Sequence, residues 1–382
     1  MSESFSFTGG AVLTPDGVFE TADLHVADGR IVDTPSRDGP RIDCRGHVVL
    51  PAIVDVHGDA FELEIHPRPG VDLPLDIAMG AVDRQLVTNG IATAFHGLTI
   101  SWEPGARGIE AGRTFMDALP ALRPSLTADH RVQLRWETFA HDAIPDIAGW
   151  LRLDPTPAIA FNDHTTLGLA DLRSGNARKL DRWAQRAGVS LDDYVACLEA
   201  AGEQVSDVAG RIGEVAAMAA RHDAVMLSHD EQTASERRAS REIGMRVCEF
   251  PLAREVAAEA VAAGEHVVMG APNVIRGGSH TGAMSAEDAV RDGLCTVLAS
   301  DYHYPSLLHA AERLVARGVG PLAAIWALVS ANPAASMGLD DRGAIEPCRR
   351  ADIIVLDCSG PWRLVHTVAG GVLTTLGRRL SS

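Results

Sequence analysis

Eight short apolar runs, separated or followed by stretches with helical spacing, constrain this chain more than any other feature of its sequence. They fall at residues 48–56, 91–95, 132–139, 158–161, 224–227, 246–250, 266–269 and 296–299. Runs this short, bounded by turn-type residues, read as buried strands. Strands alternating with helices imply a parallel sheet, and eight such units imply a closed (β/α)8 barrel of the TIM type. An open doubly wound sheet is the alternative. It lacks support because no Gly-rich phosphate turn follows the first strand.

The two ends read differently. Residues 7–49 are strand-and-turn material broken by Pro15-Asp16-Gly17 and Ala27-Asp28-Gly29, and Asp-Gly between apolar runs signals a hairpin. Residues 351–357, 364–368 and 370–373 return to this style. Residues 1–49 and 341–382 are therefore expected to form one small composite β-sandwich, with residues 50–340 as the α/β barrel. Within the barrel, a helix is expected over residues 76–89, closed by Gly90, and one long Ala-rich helix over 191–221. Residues 101–130 and 163–190 are expected to form loops and short helices over one barrel face.

Composition limits the function classes. With 382 residues and 46% hydrophobic content, the chain can build a large core. No run approaches the ~20 apolar residues of a membrane span, and the N-terminus lacks the layout of a signal peptide. The six cysteines are scattered without a CxxC pair, which reads as reduced thiols of a cytoplasmic protein. A net charge of -17 argues against nucleic-acid binding. An anionic substrate would need metal ions or local arginines to overcome that field.

Ionisable residues recur where the apolar runs end. His57 and Asp59 follow the first, two apart, so that in extended chain both face one side. Glu137 lies inside the third, near its end, while His164 follows the fourth, His229 the fifth and Asp301 the eighth. Each alone could be a satisfied core or loop residue; five such placements on five strand ends are hard to dismiss. Three histidines and three carboxylates at one barrel mouth make a site for divalent metal, Zn²⁺ first, with Mn²⁺ or Fe²⁺ also suited. Six ligands exceed what one zinc ion uses, so two ions are expected, activating a shared water as hydroxide. Asp301 is the candidate for moving its proton. A loop over residues 269–280 carries Arg276, Ser279 and His280, and a rigid turn over 66–70 carries Arg68; both have the makings of an anion cradle. His96, ending the second strand, either faces the site or is structural.

These residues resemble the amidohydrolase superfamily. The framework stretches are "LPAIVDVH" and the closing "DRGAIEPCRRADIIVLD". Within it, "HGDAFELEIHPRPGVD", "RWE", "FNDH", "LSHDEQT", "VVMGAPNVIRGGSH" and "ASDYHYPSLLHAA" resemble the triphosphate diphosphatases of the carbon–phosphorus lyase pathway. The resemblance implies metal ligands at His57, Asp59, Glu137, His164, His229 and Asp301, with Glu137 bridging. It implies phosphate contacts at Arg68, Arg276, Ser279 and His280, and a homodimer. The implied substrate is a small phosphorylated one, α-D-ribose 1-methylphosphonate 5-triphosphate, split to pyrophosphate and the 5-phosphate by a metal-activated hydroxide. The chain departs from that branch at Ala60, His96-Gly97, Thr165-Thr166-Leu167-Gly168 and Asp230-Glu231. A C–N amidohydrolase acting on a cyclic amide or N-acyl compound is the alternative.

Overall fold

The computed structural model describes residues 4–376, apart from 38, 69 and 279–283. Among the described residues, sixteen strands form two eight-stranded sheets. The first contains β1 (Phe5–Leu13), β2 (Phe19–Ala27), β3 (Arg30–Val32), β4 (Arg41–Asp43) and β5 (Val48–Pro51) from the N-terminal end. The barrel strands are β6 (Ile53–Gly58), β7 (Ile91–Ile100), β8 (Asp129–Glu137), β9 (Ala158–Asn162), β10 (Met226–His229), β11 (Val247–Glu249), β12 (His266–Gly270) and β13 (Val297–Ala299). Three C-terminal strands, β14 (Ile353–Asp357), β15 (Arg363–Ala369) and β16 (Val372–Thr375), complete the first sheet.

The barrel strands pair in chain order and in parallel. A parallel bridge from Gly58 to Asp301 brings the last back to the first. The closure is reinforced by Asp55, whose buried carboxylate accepts from the Ser300 amide at 3.0 Å and the Ser300 hydroxyl at 2.5 Å. All eight expected strands are present. The run over residues 48–56, however, is two strands. β5 pairs with β1 and β14 in the terminal sheet, and the chain enters the barrel only after Ala52. What splits the run is a partner about 300 residues away: the Ala52 amide donates to the Asp352 carbonyl, and the Trp326 indole to the Pro51 carbonyl.

In the terminal sheet, β1 changes partner at its Gly9-Gly10 pair. Ser6–Thr8 lie against β4 and Ala11–Val12 against β5, with Gly9 in the left-handed region at φ +68°. The Asp28-Gly29 turn has φ +52° and +74°, the geometry that joins β2 to β3 as a two-residue hairpin. One core takes Phe5, Phe7 and Leu24 from one end and Ile353, Val355 and Val365 from the other. The expected single helix over 191–221 is broken into Leu191–Gly202 and Val205–Arg221. At the break, Gly202 lies against Leu169 so tightly that a Cβ would come within 2.7 Å of it. All six cysteines are unpaired. No helix among the described residues is long and apolar enough to cross a membrane.

Arg342 fastens the segment that returns from barrel to sheet. It is 5% exposed and donates to Thr93 Oγ1 and Asp129 Oδ2, each at 2.7 Å. Removing one partner of a buried pair strands the other, so Arg342→Met is expected to cost about 3–5 kcal/mol of stability in urea unfolding. A loss below about 1 kcal/mol, the worth of an exposed pair, would show the network to be dispensable. Burial pushes the Asp129 carboxyl up, but Arg131 and Arg342 outweigh it and hold it at about 2. The resulting stabilisation is complete above the unfolded carboxylate value of roughly 4 and is lost as pH falls through the folded value. The gap between wild type and variant is therefore expected to narrow over that window.

Candidate active site

The barrel interior is apolar below and ionisable at the mouth, and strand alternation dictates which residues form the ring. Ala160, Leu227, Val247 and Ala299 belong to one buried interior cluster. Two residues further on, facing the same way, stand Asn162, His229, Glu249 and Asp301. His57 reaches the mouth differently. Asp55 pairs with Ala94 and Gly58 with His96, so Val56 and His57 together oppose Phe95. This bulge turns the His57 ring inward, where plain alternation would point it with Asp55 toward the helices.

Glu249, fully buried, joins the two histidines. Its Oε1 lies 3.0 Å from His57 Nδ1 and its Oε2 lies 3.7 Å from His229 Nε2. His229 Nδ1 is 3.2 Å from Asp230 Oδ2, so the ring donates there and turns the Nε2 lone pair toward Glu249. Among the described residues, neither His229 Nε2 nor Glu249 Oε2 has a hydrogen-bond partner, although both are buried. Two buried acceptors facing each other with no donor between them are suited to a cation. Among the described residues, three overlapping groups bring ligand atoms within 4.8 Å of one another: His57, His229 and Glu249; His164, His229 and Asp230; His57, Asp59 and Asp301. The residues present therefore fit divalent metal.

Charge around the cluster is balanced by contact. Burial works to lower the His57 pKa, but the adjacent Glu249 carboxylate wins and raises it. Burial likewise opposes Glu249, yet His57 and His229 hold its carboxyl below the usual range. Asp301 is pushed up, by burial first and by Asp59 second. At Asp230 burial is again overcome, and the imidazoles of His229 and His164 keep its carboxyl at about 2.

The strand ends here are strained. Asp230 and Phe250, immediately after β10 and β11, and Asp301, two residues past the end of β13, have φ of +56°, +52° and +57°. For a residue as bulky as Phe this conformation is uncommon, and such strain gathers at functional sites. The Phe250 ring lies 5.0 Å from His57 and 5.3 Å from His229, edge-on to both, and so fixes the two imidazoles.

Five of the six expected ligands, His57, Asp59, His164, His229 and Asp301, fall in these groups. Glu137 stands beside them, 3.4 Å from His164 Nδ1. Its carboxylate already accepts from the amides of His164 and Thr165 and from the Thr165 hydroxyl, at 3.0, 3.2 and 2.7 Å. Asp59 is also held by arginines, with Arg135 Nη1 at 3.4 Å and Arg107 Nη2 at 3.7 Å. Arg68 and Arg276 are exposed, Arg68 on the loop after the short helix Phe61–Ile65 that follows β6 and Arg276 at the end of the short helix Ala271–Arg276 after β12. Neither forms an ion pair among the described residues. Ser279 and His280 lie outside the described residues. His96 points away from the mouth, its Nε2 2.9 Å from His130 Nδ1 and its ring against Phe61, and is structural.

Glu249, Asp230, Arg107 and Arg135 are not among the residues expected from sequence. The available signal was a charged residue inside an apolar run, as in Val247-Cys248-Glu249-Phe250 and Leu134-Arg135-Trp136. Next to the cluster lies a cavity of about 90 Å³ lined in part by Thr99, Arg107, Glu137 and His164. It is roofed by Trp183 and Arg186 of the helix Ala177–Ala187, and Glu103 anchors Arg186 at 2.8 Å. This roof belongs to the four-helix connection between β9 and β10, whose first half, 163–190, is expected from sequence as loops and short helices and whose second half, 191–221, as one helix.

Comparison with known proteins agrees with this geometry. The amidohydrolase family profile matches residues 155–374. An α-D-ribose 1-methylphosphonate 5-triphosphate diphosphatase from Escherichia coli (strain K12) is 30% identical over 345 residues, covering 87% of this chain and 90% of that protein. An adenine deaminase from Cereibacter sphaeroides (strain ATCC 17025 / ATH 2.4.3) is 26% identical over 378 residues, covering 94% of this chain and 56% of that protein. The chain thus spans about half the length of that deaminase. Among solved structures, β-aspartyl dipeptidase from Fervidobacterium islandicum AW-1 superposes with a TM-score of 0.62 at 13% identity, covering 99% of this chain and 100% of that one. That likeness speaks for the fold alone. From profile, relatives and barrel together, the chain belongs to the amidohydrolase family.

Proposed function

We propose that this hydrolase releases pyrophosphate from α-D-ribose 1-methylphosphonate 5-triphosphate, or a close ribosyl triphosphate, using divalent metal held at the barrel mouth. The observation that carries the reading is the His57–Glu249–His229 cluster, with its unanswered acceptors beside Asp301. Identity to the Escherichia coli diphosphatase over most of both chains supports the substrate. So does the supply of cationic side chains: Arg107 and Arg135 at Asp59, and Arg68 and Arg276, exposed on the connections that follow β6 and β12.

His57, His229 and Glu249 would hold one ion, with His164, Asp59, Asp230 and Asp301 in reach of a second; Zn²⁺ suits this donor set best. A divalent ion bound there supplies Lewis acidity, lowering the pKa of water and drawing charge from the phosphoryl group. Asp301 accepts the proton of the attacking water and returns it to the leaving oxygen. Phe250 keeps both imidazoles in place, and the Trp183–Arg186 roof limits the access of bulk water. The products are pyrophosphate and the ribose 1-methylphosphonate 5-phosphate, with the group at C1 untouched.

A second reading, hydrolysis of a C–N bond, draws on the adenine deaminase relatives and on the net charge of -17. One assay separates them. Metal-loaded protein is expected to release pyrophosphate from the ribosyl triphosphate and no ammonia from adenine. Ammonia release without pyrophosphate would reverse the assignment.

A further inference from the structure

Strand β8 presents Gln133, Arg135 and Glu137 in succession toward the barrel axis. Gln133 donates to Glu249 Oε1 at 2.8 Å, and Glu137 caps the helix that begins at His164. Arg135 lies between them, 7% exposed. Its contact to Asp59 is long, at 3.4 Å, and its Nε–H has no partner among the described residues. Thr99, in register with Arg135 on β7, is 9% exposed and its hydroxyl is unpartnered. Asn162, in register with Glu137 on β9, is 1% exposed and neither amide atom of its side chain is partnered among the described residues.

Three neighbouring strands therefore leave polar atoms unmatched toward one space. Leaving a buried donor unpaired costs roughly 1–3 kcal/mol, and more for a charged one. Metal at the histidines does not answer Arg135, because a guanidinium carries donors only. An acceptor oxygen, best an anionic one, does. The place is next to the chemistry: a Cβ on Gly97 would sit 3.1 Å from Arg135 Cδ and 3.3 Å from His57 Nε2, so the arginine stem runs alongside the His57 ring.

We propose that Arg135, with Thr99 and Asn162 beside it, binds an oxygen of the phosphate chain at the bond that breaks and stabilises the charge that develops there. The assignment of that oxygen to a phosphoryl group rests on the function proposed above. Arg135→Ala and Arg135→Lys would be compared with wild type for metal per chain, binding of inorganic pyrophosphate to the metal-loaded protein by calorimetry, and turnover. For Arg135→Ala, kcat is expected to fall about 10²–10³-fold, as when one oxyanion donor is removed. Pyrophosphate affinity is expected to fall at least about tenfold with metal content unchanged, and added guanidinium ion to restore part of the rate.

Pyrophosphate affinity and kcat both within about twofold of wild type would overturn the assignment, as would loss of metal together with affinity, which would make Arg135 a structural partner of Asp59. If the alanine variant does not fold, the lysine variant decides on the same two readouts, since it keeps the charge and loses the planar donor fork. If wild type binds pyrophosphate yet releases none from the triphosphate, the proposed function fails and the variants' affinities alone judge the anchor. If wild type binds neither pyrophosphate nor inorganic phosphate, the anchor itself is refuted.

Discussion

Replacing Glu249 with Gln is expected to weaken divalent-metal binding by at least about 100-fold, the upper range for losing a carboxylate that holds a metal-ligating histidine. Glu249 touches both central imidazoles, through Oε1 to His57 and Oε2 to His229. It is fully buried, and its other neighbour, Gln133, can only hold it in place. Glutamine preserves the shape and removes the charge. One face of its amide then presents N–H groups to imidazole nitrogens, so the histidines lose both their orientation and the negative charge that balances a cation. Titrating the metal-free variant with Zn²⁺ by calorimetry, alongside a thermal melt to show that it folds, tests this. Wild-type affinity in a folded Glu249→Gln protein would remove Glu249 from the site.

The second large effect is expected at Asp301. Asp301→Asn should lower kcat by about 10²–10⁴-fold, the contribution of a positioned general base. The position of Asp301 is set by three independent features. Its amide donates to the His57 carbonyl at 2.9 Å, its own carbonyl accepts from Asp59 at 2.9 Å, and Asp55 clamps the preceding Ser300. The left-handed backbone at Asp301, φ +57°, is one that Asn also tolerates, so the variant should fold and the loss should reside in the chemistry. Steady-state turnover at saturating metal is the readout. A kcat within about tenfold of wild type would assign the proton transfer to another group.

What could be read in the sequence was local, and what could not was set by distant partners. Each barrel strand announced itself as a short apolar run, and the Asp28-Gly29 hairpin by its turn residues. His229 and Asp301 were legible because they end such runs, where a barrel exposes chemistry. Glu249 was not, because it sits inside its run, one residue before Phe250, and only pairing with β10 and β12 shows that it faces the mouth. Arg135 escaped for the same reason. The division of residues 48–56 between two sheets depends on β14, and the inward turn of His57 depends on a bulge against β7. Neither partner is near in sequence. Loops and short helices are expected over 163–190 and one helix over 191–221; the structure packs four helices there, with a small core of their own around Leu180, Tyr194 and Leu198.

The most direct test of the account is the amount of metal each chain holds. Protein purified without added metal, then reconstituted and desalted, would be assayed by elemental analysis. At least one divalent ion per chain, falling sharply in Glu249→Gln, is the predicted result. No bound metal after reconstitution would contradict the central claim that His57, His229 and Glu249 form a metal centre.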